Sequence, residues 1–158
     1  MKKIVLVAIM AVAGISLAVA QPRAIGGRLG YGVEVSYQHG FGETNMLQLE
    51  VGVPGFNSLE AACTYDWINP GGLDFPTVEY GDLNWFAGVG GQIMTTFAFN
   101  WGYVGPAGRI GFEYNFPFPL QLSLDWRPSF GVAFNGAGAS FWGDLYYGGL
   151  GIGVRYLF

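Results

Sequence analysis

The sequence predicts an all-β protein: a closed, antiparallel, up-and-down transmembrane β-barrel of eight strands, preceded by a cleavable signal peptide. Three observations predict it. Apolar and polar residues alternate along nearly every segment after residue 20, which is the period of a strand. The charged residues of those segments all fall on the polar parity. No apolar stretch beyond residue 20 is long enough for a membrane helix, so a chain with mean hydropathy +0.34 enters a bilayer only as strands. Such strands must close on themselves, because lipid offers no partner to an open edge.

The N-terminal segment comes first. Lys2 and Lys3 are followed by an almost unbroken apolar run from Ile4 to Val19, and Ala18-Val19-Ala20 is a small-x-small site before Gln21. That run falls short of the roughly 20 residues a spanning helix needs, and no charged flank follows it. Residues 1–20 are therefore expected to be a signal peptide and 21–158 one barrel domain. Without Lys2 and Lys3 the chain has five Arg against eleven acids, a net charge of −6. This balance excludes a nucleic-acid partner, whose phosphates need a basic face. The single cysteine, Cys63, excludes an internal disulfide framework and a Cys-based zinc site.

The expected strands are 24–30, 32–40, 46–53, 58–68, 83–94, 107–116, 119–130 and 143–158. Residues 25–38 keep one parity throughout; a split at Tyr31-Gly32 gives an even count and puts both chain ends on one side. Leu29, Val33, Val35 and Tyr37 then oppose Arg28, Glu34, Ser36 and Gln38. In the third strand Leu47, Leu49, Val51 and Val53 oppose Gln48, Glu50 and Gly52. In the fourth Leu59, Ala61, Cys63, Tyr65 and Trp67 oppose Glu60, Ala62, Thr64 and Asp66. Ile110, Phe112 and Tyr114 oppose Arg109, Gly111 and Glu113; Leu120, Leu122, Leu124 and Trp126 oppose Gln121, Ser123, Asp125 and Arg127. In the last strand Leu150, Ile152, Val154, Tyr156 and Phe158 oppose Gly149, Gly151, Gly153 and Arg155. Gly-Glu-Thr-Asn at 42–45 and Phe-Pro-Phe-Pro at 116–119 read as tight turns. Segment 69–82, with Pro70, Gly71, Gly72, Pro76 and three acids, is a loop of unassigned side. Stretches 95–106 and 131–142 are read as long aromatic loops or as upward extensions of the strands.

Ten charged residues lie opposite the large apolar ones: Arg28, Glu34, Glu50, Glu60, Asp66, Arg109, Glu113, Asp125, Arg127 and Arg155. In a narrow barrel they face the lumen, where charges must pair, and they are expected to plug it. A soluble sandwich also alternates, but it would show Lys, Thr and Glu on a wet face. Here the polar parity is rich in Gly, and aromatic residues gather at segment ends as in a membrane girdle.

The alternation of Leu150, Ile152, Val154, Tyr156 and Phe158 resembles the C-terminal signal read by the outer-membrane barrel-assembly machinery, which captures a strand by pairing with it. The whole chain after residue 20 resembles the small eight-stranded outer-membrane barrel family, with an OmpA/OmpX-like architecture. Ala24-Ile25-Gly26-Gly27-Arg28-Leu29-Gly30 is similar to that family's first strand, and Leu83-Asn84-Trp85-Phe86-Ala87-Gly88-Val89-Gly90 to its fifth. Gly111 to Phe116 and Leu122 to Pro128 are similar to its sixth and seventh. The resemblance implies a location in the bacterial outer membrane, with its lipids and the assembly machinery as partners. It implies no cofactor and no catalytic residue.

Chemistry is sparse in the sequence. His39 is the only histidine, which excludes a multi-His metal site. Ser36, His39 and Asp66 invite a hydrolase triad, yet Ser36 and His39 lie on opposite parities. The clusters Gly88/Gly90/Gly91 and Gly148/Gly149/Gly151/Gly153 lack dinucleotide spacing and read as barrel curvature. The expected function is a non-enzymatic integral outer-membrane protein with a structural or surface-interaction role. The alternatives are a narrow channel for small solutes and, behind it, a lipid-modifying barrel enzyme.

Overall fold

A computed structural model describes residues 21–72, 80–145 and 149–158. The expected signal peptide, Asp74 and Glu79 lie outside these residues. Ten β-segments follow in order: β1 Gln21–Leu29, β2 Gly32–Gly40, β3 Asn45–Pro54, β4 Ser58–Ile68, β5 Asp82–Thr96, β6 Trp101–Asn115, β7 Leu120–Trp126, β8 Ser129–Asn135, β9 Gly138–Asp144 and β10 Leu150–Leu157. No α-helix occurs among the described residues; one 3-10 turn spans Pro70–Gly72. Neighbouring strands pair antiparallel from β1 to β7, and β10 pairs with both β7 and β1. The ring therefore closes, and at this level no strand has an open edge.

The barrel has eight staves, because four of the ten segments combine in pairs. β7 and β8 form one stave: Ile110 faces Trp126 and Ala107 faces Ser129, so the register against β6 is unchanged across the break. The break falls at Pro128, which has no N–H to give the ladder. β9 and β10 form the eighth stave. Between Asp144, opposite Ser129, and Leu150, opposite Trp126, the chain advances six residues while its partner advances three. The register of the stave therefore shifts by three residues between its two segments.

Of the two readings of 95–106 and 131–142, upward extension of the strands is the one observed over most of their length. β5 runs on to Thr96, β6 starts at Trp101, and β8–β9 is a hairpin with its turn at 136–137. The alternation simply continues there, with Tyr103, Ala107 and Ala133 buried inward and Val104, Val132 and Phe134 exposed outward. The split within 25–38 falls where expected, since Gly30 and Tyr31 form the β1–β2 turn.

Strand direction assigns the two ends. Residues Gln21 and Leu157, the turns at 41–44 and 116–119, and residues 69–72 and 80–81 share one end. Asn69 is tied to β5: its backbone N–H donates to the Trp85 carbonyl at 2.8 Å, and its side-chain oxygen accepts from the Trp85 N–H at 3.0 Å. The opposite mouth is uneven. β5, β6, β8 and β9 rise above the short β1–β2 and β3–β4 turns.

The interior is polar and the exterior apolar. Outward residues such as Val33, Val35, Val51, Ile110, Leu122, Leu124 and Ile152 are 38–63% exposed. The buried apolar cluster is small, Met46, Ile68 and Phe86, near the end that carries the chain termini.

Candidate functional site: the lumen charge network

Period-two geometry turns residues i and i+2 to one face. Glu34, Ser36 and Gln38 of β2 thus enter the lumen together, as do Gln48 and Glu50 of β3 and Glu60, Thr64 and Asp66 of β4. β6 contributes Arg109 and Glu113, the stave of β7 contributes Gln121, Ser123, Asp125 and Arg127, and β10 contributes Arg155. All ten charged residues of the polar parity are buried, from 0% exposure at Asp66 and Glu113 to 8% at Glu34.

Arg127 is the hub of the upper layer. Its Nη1 donates to Glu34 Oε2 at 3.1 Å and to Glu50, and its Nη2 donates to Glu34 Oε1 at 3.0 Å and to Glu60. Arg28 donates to Asp125 at 2.9 Å, to Glu34 at 3.2 Å and to the Gly149 carbonyl at 2.6 Å. Arg109 joins Asp125 at 2.8 Å to Glu50 at 3.2 Å. Glu50 is the shared anion, within 4 Å of Arg28, Arg109, Arg127 and Arg155. One layer down, Arg155 donates to Ser36 at 2.8 Å, Ser123 at 2.7 Å and Gln121 at 3.2 Å. Asp66 stands apart from the ion pairs and accepts from Thr64 at 3.2 Å.

Glycines make the space. A side chain at Gly151 would collide with the Arg28 guanidinium, and one at Gly153 with Ser123 and Arg155. Arg28 and Arg155 have room in the narrow lumen because Gly151 and Gly153 beside them carry no side chain.

One lumen residue escaped the sequence reading. Arg23 is on the apolar parity, yet it pairs with Glu113 and donates to Gln38 at 3.1 Å. A register shift between Pro22 and Ala24 is the cause: the bulge lets Arg23 turn inward beside Ala24. The signal available was stoichiometric, since four Arg cannot neutralise six inward acids. The uncharged Gln38, Gln48, Gln92 and Gln121 are equally buried and tie the layers together.

Ser36, His39 and Asp66 are not brought together. Ser36 bonds Glu50, Gln48 and Arg155 inside the barrel. His39 lies on the other face, 3.1 Å from the Tyr37 hydroxyl and edge-on to Phe41. Cys63 is exposed on the outer face. Leu150, Ile152, Val154 and Tyr156 point outward along β10, and Phe158 packs edge-on against Tyr156. The outer face carries aromatic groups at the end near the termini, Phe41–Tyr65–Trp67 and Tyr114–Phe116–Phe118. At the other end Tyr31, Phe56, Phe97, Phe99 and Phe141 are exposed.

No family model, no curated protein and no solved structure matches this chain.

Proposed function

We propose that this chain is an integral outer-membrane β-barrel of the small eight-stranded kind, non-enzymatic, with a structural or surface-interaction role and a lumen plugged by side chains. The observation that carries the reading is the inversion of the molecule: ion pairs within, half-exposed Val, Leu, Ile and Phe around the whole outside. Full burial of such a side chain gains about 1.5–3 kcal/mol and the half still exposed here about half of that, so an outer face of this kind calls for lipid. Aromatic residues above and below the apolar band fit the two interfaces of a bilayer. The apolar run 4–19 behind Lys2 and Lys3 fits export, and outward-alternating β10 fits capture by the assembly machinery.

Recovery from outer-membrane fractions with heat-modifiable gel migration tests location and closed barrel together; migration unchanged by boiling, or recovery in the soluble fraction, rejects the reading. A plugged lumen predicts no stable large conductance in planar bilayers. The second reading, a narrow path for small solutes, draws on Asp66 Oδ1 and Arg109 Nε and Nη1, which are buried without partners among the described residues. Buried polar atoms demand partners, and water supplies them. Liposome swelling with small solutes separates the two.

A further inference from the structure

The dipeptide Phe-Asn occurs three times in the chain, as Phe56-Asn57, Phe99-Asn100 and Phe134-Asn135. All three sit at the mouth, the first two in the β3–β4 and β5–β6 turns and the third at the end of β8. The fold sets them side by side: the Phe97 N–H donates to the Asn57 carbonyl at 3.0 Å, and Trp101 faces Asn135 across the β6–β8 ladder. We propose that this rim binds an uncharged oligosaccharide, whose sugars rest on the Phe rings and accept hydrogen bonds from the Asn amides.

The rim carries no charge. No charged residue occurs between Glu50 and Glu60, between Asp82 and Arg109 or between Arg127 and Asp144. The opposite end, by contrast, carries Glu43 and Asp82. A surface without cations holds neither nucleic acid nor an anionic glycan, and one without anions does not select a cation. Its backbone is strained. Phe56 and Phe99 have φ of 56° and 52°, the left-handed region that Gly and Asn tolerate and bulky side chains do not. Burial does not compensate them, since they are 71% and 78% exposed. Strain kept at an exposed turn without packing points to a contact made there. A bilayer interface accounts for outward aromatic residues, but gives no reason to force one into this conformation.

The amides are set in one way. Each Asn side-chain oxygen is occupied, accepting from Ser58 Oγ at 2.9 Å, from Thr96 Oγ1 at 2.7 Å and from the Ala137 N–H at 2.9 Å. That leaves the amide nitrogen of each exposed Asn as a donor for a ligand. A neutral sugar fits both groups: its C–H face packs on the negative face of an aromatic ring, and its oxygens accept from amides. An acyl chain would strand the amides instead. Neighbouring strands lie ~4.8 Å apart, close to the length of one hexose unit, so a repeated dipeptide along the rim suits a chain of repeated sugars. The inference names a partner class for the surface-interaction role proposed above and rests on the closed barrel.

The test uses the chain from residue 21, folded in micelles of a sugar-free detergent and checked by unheated gel migration. Isothermal titration uses linear hexasaccharides of glucose, galactose, mannose and N-acetylglucosamine, with hexagalacturonate as the anionic control. At least one neutral chain should bind saturably, about tenfold tighter than the anionic one. Phe56→Asn and Phe99→Asn should each weaken binding about tenfold while leaving the urea midpoint equal or higher, because Asn accepts the left-handed conformation. Asn100→Asp keeps an acceptor for Thr96 but loses the donor, and should weaken binding about fivefold. No saturable binding by any of the four up to ~10 mM overturns the proposal, as does equal affinity for the anionic chain. Full affinity in all three variants overturns it too, as does a lower urea midpoint in both Phe variants, which would make the rings packing groups. Self-association through the rim without sugar binding overturns it in favour of a protein contact. Loss of binding with heat-modifiable migration intact leaves the barrel reading standing, so the two fail separately.

Discussion

Replacing Arg127 by Met is the most direct perturbation of the lumen. Arg127 is 2% exposed and donates to Glu34, Glu50 and Glu60. Met keeps an unbranched apolar stem but supplies no charge and no donor. Glu50 retains Arg28, Arg109 and Arg155 nearby, and Glu34 retains Arg28 at 3.2 Å. Glu60 retains only the Gln92 amide among the contacts described. Removing one partner from a buried ion pair costs about 3–5 kcal/mol, most of it the penalty of the stranded charge. That is a large part of a domain's ordinary stability of about 5–15 kcal/mol. Urea titration of the folded protein, followed by tryptophan emission and by unheated gel migration, measures the loss. The double variant Arg127→Met with Glu60→Gln removes the most exposed consequence, the stranded Glu60, and should recover about 1–3 kcal/mol as a coupling energy. A loss below about 1 kcal/mol, or no recovery in the double variant, would refute the claim that these charges are held by each other rather than by water.

Three further outcomes are expected. Gly151→Val should cost about 1–3 kcal/mol or block closure, because the new side chain meets Arg28; Gly27→Ala, whose Cβ meets only the Glu34 carbonyl at 3.6 Å, should be near neutral in the same titration. Cys63, outward at the centre of β4, should react in vesicles with a lipid-soluble maleimide and resist a charged one; equal labelling by both would place the outer face in water. His39→Ala should lose the Tyr37 hydrogen bond at about 0.5–1.5 kcal/mol and leave the lumen untouched. Lipid turnover abolished by that substitution would contradict a purely packing role.

Much of the barrel was legible because strands obey a local rule. Parity tells which side of a strand a residue faces without reference to its neighbours, and it held through β2, β3, β4, β7 and β10. The places where it faltered are those where the ladder breaks. The bulge at Pro22/Ala24 moved Arg23 inside, and the three surplus residues before Leu150 offset β9 from β10. The rise of β5, β6, β8 and β9 was harder to read, because Gly-rich aromatic stretches look alike whether they loop or continue as strand.

The residues themselves determined the strand period, the sign and parity of each inward charge, and the positions of the tight turns, since each depends on neighbours one or two places away. Only the folded ring decided which Arg meets which acid. Arg127 reaches Glu34 across 93 residues of chain and Glu60 across 67, distances at which sequence carries no trace of contact. Those pairings follow from stave register and stagger around a closed sheet, which couple all eight strands at once. The mouth rim has the same origin: stave register set Phe56-Asn57, Phe99-Asn100 and Phe134-Asn135 side by side.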